Sequence, residues 1–95
     1  MTFATFEAAL GAASPPAGLS AELAALWHDH SGDWQRAHEI AQGIGTPRGS
    51  AIHAYLHRKE GDSGNAGHWY LKAGREVFSG PLETEWRSLS LEMSE

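Results

Sequence analysis

A glycine–aspartate pair occurs twice in this chain, 29 residues apart, and constrains the fold more than any other feature. Gly32-Asp33 and Gly61-Asp62 each separate two segments whose apolar residues recur at helical spacing. Glycine readily adopts the left-handed conformation that ends a helix, and aspartate is a favourable N-cap for the next helix. Each pair therefore predicts a tight turn between two antiparallel helices.

The segments around the two turns form an internal repeat. Residues 19–44 superpose on residues 48–73, and the identical positions are Ala25/Ala54, His28/His57, Gly32/Gly61, Asp33/Asp62 and Ala37/Ala66. These matches lie where a helical hairpin is most constrained, at the turn and at the close approach of its helices. Repeats of this length usually stack as hairpins. We therefore predict two stacked antiparallel hairpins.

The flanking segments complete the predicted fold. Residues 2–12 are expected to form a short N-terminal helix, and residues 74–80 are expected to be irregular. Pro81 can open a last helix, because proline is favoured in the first helical turn. No segment alternates with a period of two, as a half-buried strand would. The prediction is an all-α single domain spanning 1–95, in which a C-terminal helix over 81–93 caps the open end of the stack.

The turn motifs resemble those of a known family. The runs Gly32-Asp33-Trp34-Gln35-Arg36-Ala37 and Gly61-Asp62-Ser63-Gly64-Asn65-Ala66 are similar to the G-D-Y-x-x-A turn of tetratricopeptide repeats. Tyr70 and Ala73 match the aromatic and small positions of that family's second helix. The repeat is shorter than the family's 34 residues. The chain also resembles a small bacterial family to which no activity is assigned, through Trp27-His28-Asp29-His30 and HAYLHRKEGD.

Resemblance to tetratricopeptide repeats implies a concave binding face lined by the first helix of each hairpin. Mapped onto this chain, that face carries Glu22, Leu26, Asp29, His30, Arg48, Tyr55, Arg58 and Lys59. A cationic half beside an acidic half would suit an extended peptide, whose carboxylates meet the basic side chains. The alternative is that the basic residues form a solvated last turn favoured by the helix dipole. The first hypothesis is therefore a non-enzymatic module that binds a protein or peptide.

The histidines support a second hypothesis. His53 and His57 are four residues apart and Glu60 follows three residues later, so all three share one helical face. Two imidazoles and a carboxylate on adjacent turns can bind one divalent metal ion together with a further ligand. His28, His38 or His68 can supply that ligand across a hairpin. Alternatively, His28 and His57 occupy equivalent repeat positions because both are structural spacers in the core.

Catalysis is not predicted. HAYLH differs from the zincin motif HExxH, because Ala54 stands where the general-base glutamate would be. The chain has no cysteine nucleophile, and no serine lies in a recognisable nucleophile motif. No catalytic residue is therefore proposed, and an enzyme is the less favoured class.

Composition narrows the choice of partner and compartment. The formal charge is -5 with neutral histidines, and no basic cluster exceeds Arg58-Lys59, which argues against nucleic acid. No apolar run approaches the roughly 20 residues of a membrane span. A chain without cysteine suits a reducing compartment, so a cytoplasmic location is expected. Protonation of six histidines would take the charge to +1, so pH sensing is a third hypothesis.

Overall fold

The computed structural model describes residues 1–95 and is entirely helical, as the sequence predicts. It contains α1 (Phe3–Ala8), α2 (Ala21–His30), α3 (Trp34–Gln42), α4 (Pro47–Lys59), α5 (Ser63–Ala73) and α6 (Leu82–Met93). None of these helices combines the length and the apolar character that are needed to cross a membrane.

Local sequence signals set most of the helix starts. A side-chain oxygen of the N-cap residue accepts a backbone N–H bond three residues on in five helices, and these N-caps are Thr2, Ser20, Asp33, Thr46 and Asp62. Gly32 and Gly61 precede two of the caps with φ of 94° and 88°, a conformation that favours glycine. Both glycine–aspartate pairs therefore form the predicted turns.

The first helix is shorter than predicted. It ends at Ala8 rather than near residue 12. Beyond it, the N–H groups of Leu10 and Ala12 each donate to the carbonyl three residues back, which is a succession of turns. With Gly11 and Pro15 following closely, the sequence does not sustain the i to i−4 ladder of a helix.

The helices pack around one main core. Helix α2 packs on α3, α4 on α5, and α3 on α4. The core is built from the buried side chains of Phe6, Leu23, Leu26, Trp27, Ile52, Tyr55, Leu56, Leu89 and Met93, with small alanines between the helices. A second, smaller cluster joins Ala54, Ala66 and Tyr70 between α4 and α5. Helix α4 contributes to both clusters, and its residues 51–57 are all buried.

The last helix does not occupy the predicted place. Helix α6 packs on α2 and α4, the first helices of the two pairs, whereas the sequence predicted a cap over the open end of the stack. The Nε1–H of Trp86 donates to the carbonyl of Leu26 at 3.0 Å, and Leu89 joins the core. The apolar side chains of α6 are therefore buried against both helix pairs. Helix α6 also covers part of the face on which a partner was predicted.

Gly49 provides a test of this packing. A Cβ there would lie 2.5 Å from both the Cβ and the backbone oxygen of Ile44, so the chain before α4 must shift to admit it. We expect Gly49→Ala to destabilise the protein by about 1–3 kcal/mol in urea unfolding. Gly67→Ala is the matched control, because a Cβ on that helical glycine meets nothing within 4 Å. It should be neutral or stabilise by up to about 1 kcal/mol. Equal effects of the two substitutions would contradict this packing.

Candidate metal centre

Three imidazoles converge between α3 and α4. His53 and His57 project from successive turns of α4, and the packing of α3 on α4 brings His38 beside them. One nitrogen of each ring lies within 4.8 Å of the others. The Nε2 atoms of His38 and His53 are 2.9 Å apart and share a hydrogen bond, in which one ring donates and the other accepts. His53 and His57 are buried, and His38 is half-buried.

The spacing of these nitrogens is close to that of a metal site. Zinc–imidazole bonds are about 2.0–2.1 Å long, which places the nitrogens of a tetrahedral site roughly 3.3 Å apart. The shared proton between His38 and His53 therefore lies close to where an ion would bind. Imidazole is a favourable ligand for zinc, copper and nickel, and no thiolate is present to favour softer ions. The remaining nitrogen–nitrogen distances are at most 4.8 Å, so they are at most about 1.5 Å longer than in such a site.

Two tryptophans hold the rings in place. Trp34 stacks on His38 with centroids 4.9 Å apart and planes at 12°, and Trp69 stacks on His53 at 3.9 Å and 16°. His53 in turn stacks on His57 at 4.8 Å. The Nε1–H of Trp34 donates to the carbonyl of Leu56 at 2.9 Å, which fixes that indole against α4. The imidazoles are therefore held in position by aromatic stacking before any ion binds.

Burial favours the neutral forms of His38 and His53. Desolvation lowers the pKa of His53 to about 4, and the neighbouring His38 and His57 lower it further by charge repulsion. The pKa of His38 is lowered for the same reasons, first by burial and then by His57. A neutral imidazole has a free lone pair, which is the form that binds a metal.

A carboxylate lies on one edge of this three-histidine cluster. Glu60 Oε1 is 2.8 Å from Nδ1 of His57, and the two residues are three apart at the end of α4. His57, Glu60 and Asp62 also have ligand atoms within 4.8 Å of one another. Asp62 is in addition the N-cap of α5, where its oxygens accept bonds from Asn65.

The structure sorts the predicted metal ligands. It groups His53 and His57 with His38, one of the three imidazoles considered across the hairpin, and it places Glu60 beside His57 but not in that group. His28 does not join them: it packs edge-on against Trp27, with centroids 5.1 Å apart, and is half-buried. The register of two helices decides this choice, and sequence spacing does not encode it.

The eight residues predicted to bind a partner are spread over several environments. Leu26 is completely buried, which corrects the expectation that it lines an open face, and the cause is the packing of α6 over α2 and α4. Glu22 is half-buried on α2. Arg58 binds Glu85 at 2.9 Å, and Arg48 lies 3.9 Å from Glu92. The other four, Asp29, His30, Tyr55 and Lys59, line one cleft of about 630 Å³ together with residues of α1 and α6.

The sequence did not predict the burial of two carboxylates, Asp29 of the predicted binding face and Glu85 of α6. Asp29 accepts hydrogen bonds from the Tyr55 hydroxyl at 2.7 Å and from Lys59 Nζ at 2.8 Å. Glu85 accepts from the Tyr70 hydroxyl and from Arg58 Nε. Burial and the adjacent carboxylate raise the pKa of each tyrosine. One signal was present for Glu85, which lies three residues after Leu82 and one before Trp86, next to the apolar stripe of α6.

Comparisons of the chain with family models, with curated proteins and with solved structures gave no match. The class of this protein is therefore defined by its fold and by the arrangement of its side chains. It is a small six-helix domain with a three-histidine cluster, two of whose members are buried, on one side of α4 and an open cleft beside Tyr55 and Lys59.

Proposed function

We propose that this protein binds one divalent transition-metal ion through His38, His53 and His57. The observation that carries the proposal is the convergence of one nitrogen from each ring within 4.8 Å. The lowered pKa values of His38 and His53 support it, because both rings are neutral at pH 7. Zinc, copper(II) and nickel(II) are the ions that imidazole ligands suit best.

A bound ion would join the two helix pairs. His38 belongs to the first pair and the other two ligands belong to the second, so coordination adds a link across the α3–α4 contact. An ion that binds only the folded state stabilises it by mass action, by about 2.7 kcal/mol at a free concentration of 100 times Kd. The proposed role is therefore metal binding coupled to stability.

The test is metal content and affinity in protein purified without an affinity tag. We expect one zinc, copper or nickel ion per chain and a melting temperature that rises when the ion is added. His53→Ala should weaken binding at least about 100-fold, since it removes one of three direct ligands. His28→Ala is the matched control, because that imidazole lies outside the cluster. Wild-type protein that binds none of these ions at micromolar concentration would disprove the proposal.

Partner binding is the second candidate function, and the cleft is the observation that favours it. We propose that α2–α5 are two tetratricopeptide-like hairpins and that a protein or peptide enters the cleft beside α6. Asp29, His30, Tyr55 and Lys59 are four of the residues that the resemblance assigned to the binding face, and all four line this cleft. A cytoplasmic location remains a prediction from the cysteine-free sequence.

Site-specific crosslinking tests the cleft. We expect a photo-crosslinker at the exposed position His30 to capture a discrete partner and Lys59→Glu to abolish the product. The matched control places the crosslinker at Arg36, which is exposed on α3 and does not line the cleft. The same products from both positions, or none from His30, would count against a partner in the cleft.

A further inference from the structure

Glu60 contacts His57 through one of its two ring nitrogens, Nδ1. Glu60 Oε1 lies 2.8 Å from Nδ1, which is hydrogen-bond distance. The two nitrogens of an imidazole point away from each other, so a ring that donates Nδ1–H to a carboxylate offers Nε2 to a metal. Metal-binding histidines commonly make this second contact, which fixes the tautomer and the orientation of the ring.

We propose that Glu60 is a positioning residue that holds His57 but does not bind the ion itself. The inference rests on the proposed metal site. Glu60 accepts the Nδ1–H of His57 and keeps Nε2 unprotonated, so the ion receives three protein nitrogens from His38, His53 and His57.

One coordination position then remains for a ligand from solution. Zinc and cobalt(II) favour four ligands in sites of this kind, and three protein ligands leave a place for water or a small monodentate anion. The aromatic walls limit the space: Trp69 lies 3.9 Å from His53, and Trp34 covers His38. The site should therefore admit a small anion such as azide and exclude bulky ligands.

Two cavities of the protein lie away from the three histidines. Neither the cleft beside Tyr55 nor the small cavity beside Tyr70 is lined by any of the three histidines. These two cavities are therefore separate from the proposed metal site, and the size limit on the ligand from solution follows from the aromatic walls alone.

Cobalt(II) absorption spectroscopy separates the roles of Glu60. In the wild type we expect a tetrahedral cobalt spectrum at one ion per chain, which changes when azide is added. Glu60→Ala should keep the shape of that spectrum and its response to azide, while cobalt affinity falls about 10–100-fold. Glu60→Gln should lose less cobalt affinity than Glu60→Ala, because its amide oxygen can still accept a hydrogen bond from the Nδ1–H of His57.

Glu39→Gln is the matched control, since it removes one carboxylate near His38 without touching His57. It should leave cobalt affinity within about twofold of the wild type. The metal-free melting temperature of Glu60→Gln should match the wild type, because the amide oxygen still accepts the Nδ1–H of His57, whereas Glu60→Ala also loses that bond. A role confined to folding would lower the melting temperature of Glu60→Ala and leave the cobalt affinity of the folded protein unchanged.

Three results would overturn the inference. If Glu60→Ala changes the cobalt spectrum and only the variant responds to azide, Glu60 is the fourth ligand. If the wild type binds two ions and Glu60→Ala binds one, Glu60 and Asp62 hold a second ion on Nδ1 of His57. If the wild type binds no cobalt, zinc or copper, the metal site itself fails, and this result is distinct from the other two.

Discussion

Replacing Glu85 with alanine is expected to destabilise the protein by about 3–5 kcal/mol, the usual cost of breaking a buried ion pair from one side. Glu85 is 3 % exposed, and its carboxylate accepts bonds from Arg58 and Tyr70. The Arg58 side chain is 20 % exposed, and its Nη2 already lacks a partner. Removal of Glu85 therefore leaves a largely buried guanidinium without its counter-ion. A domain of this size has only about 5–15 kcal/mol of stability in total.

Replacing the other buried carboxylate, Asp29, should destabilise the protein less than replacing Glu85. Asp29 is as buried as Glu85, but its partner Lys59 is 38 % exposed and can turn into water when the pair is broken. We expect Asp29→Ala to cost about 2–3 kcal/mol, mainly because the Tyr55 hydroxyl loses its acceptor. Urea unfolding of both variants measures the difference between them.

A double variant identifies why Glu85→Ala lowers the free energy of unfolding. If the unpaired cation is responsible, Glu85→Ala combined with Arg58→Met should recover at least about 1 kcal/mol relative to Glu85→Ala alone. Tyr70→Phe serves as the matched control for the hydroxyl and should cost about 1 kcal/mol. A loss below about 1 kcal/mol for Glu85→Ala would show that the network is not buried as described.

Mild acid is expected to destabilise the metal-free protein by up to about 3 kcal/mol through His53. Its pKa falls from an unperturbed 6.5 to about 4 in the folded state. Between these values the unfolded state binds more protons, so stability is fully present above pH 6.5 and declines as the pH falls toward 4. The lowered pKa of His38 adds to the loss in the same direction.

Urea unfolding between pH 7.5 and 5 in the presence of a chelator measures this effect. Most carboxylates stay ionised over this range, so their contribution is small. His53→Gln should flatten the dependence, and His28→Gln should leave it unchanged, because that imidazole lies outside the three-histidine cluster. Wild-type stability that does not change between pH 7.5 and 5 would contradict the buried neutral state of His53.

An added ion should increase stability at pH 7, and this effect should weaken only as the pH falls toward 4. Protons and metal compete for the same imidazole lone pairs, and folded His53 takes up its proton near its lowered pKa of about 4. An ion that stabilises His53→Gln as strongly as the wild type would have to bind elsewhere. This comparison separates the acid sensitivity of the core from metal binding.

Sequence signals of short range predicted the helices well. The turns at Gly32-Asp33 and Gly61-Asp62 and the N-cap at Thr46 depend on one residue and its near neighbours, so one-dimensional patterns suffice to find them. The helical face shared by His53 and His57 is local for the same reason. The end of α1 was missed because residues 9–12 form turns whose stability depends on where the following chain goes.

The sequence by itself determined that this chain is all-helical, where its helices begin, and that two histidines and a glutamate share a face of α4. Only the tertiary structure decided that His38 completes the cluster, that α6 lies across α2 and α4, and that Asp29 and Glu85 are buried in hydrogen-bonded networks. The physical reason is the distance along the sequence over which each interaction acts. Caps and helical periodicity act within about four residues, whereas the register between packed helices depends on how all their side chains fit together.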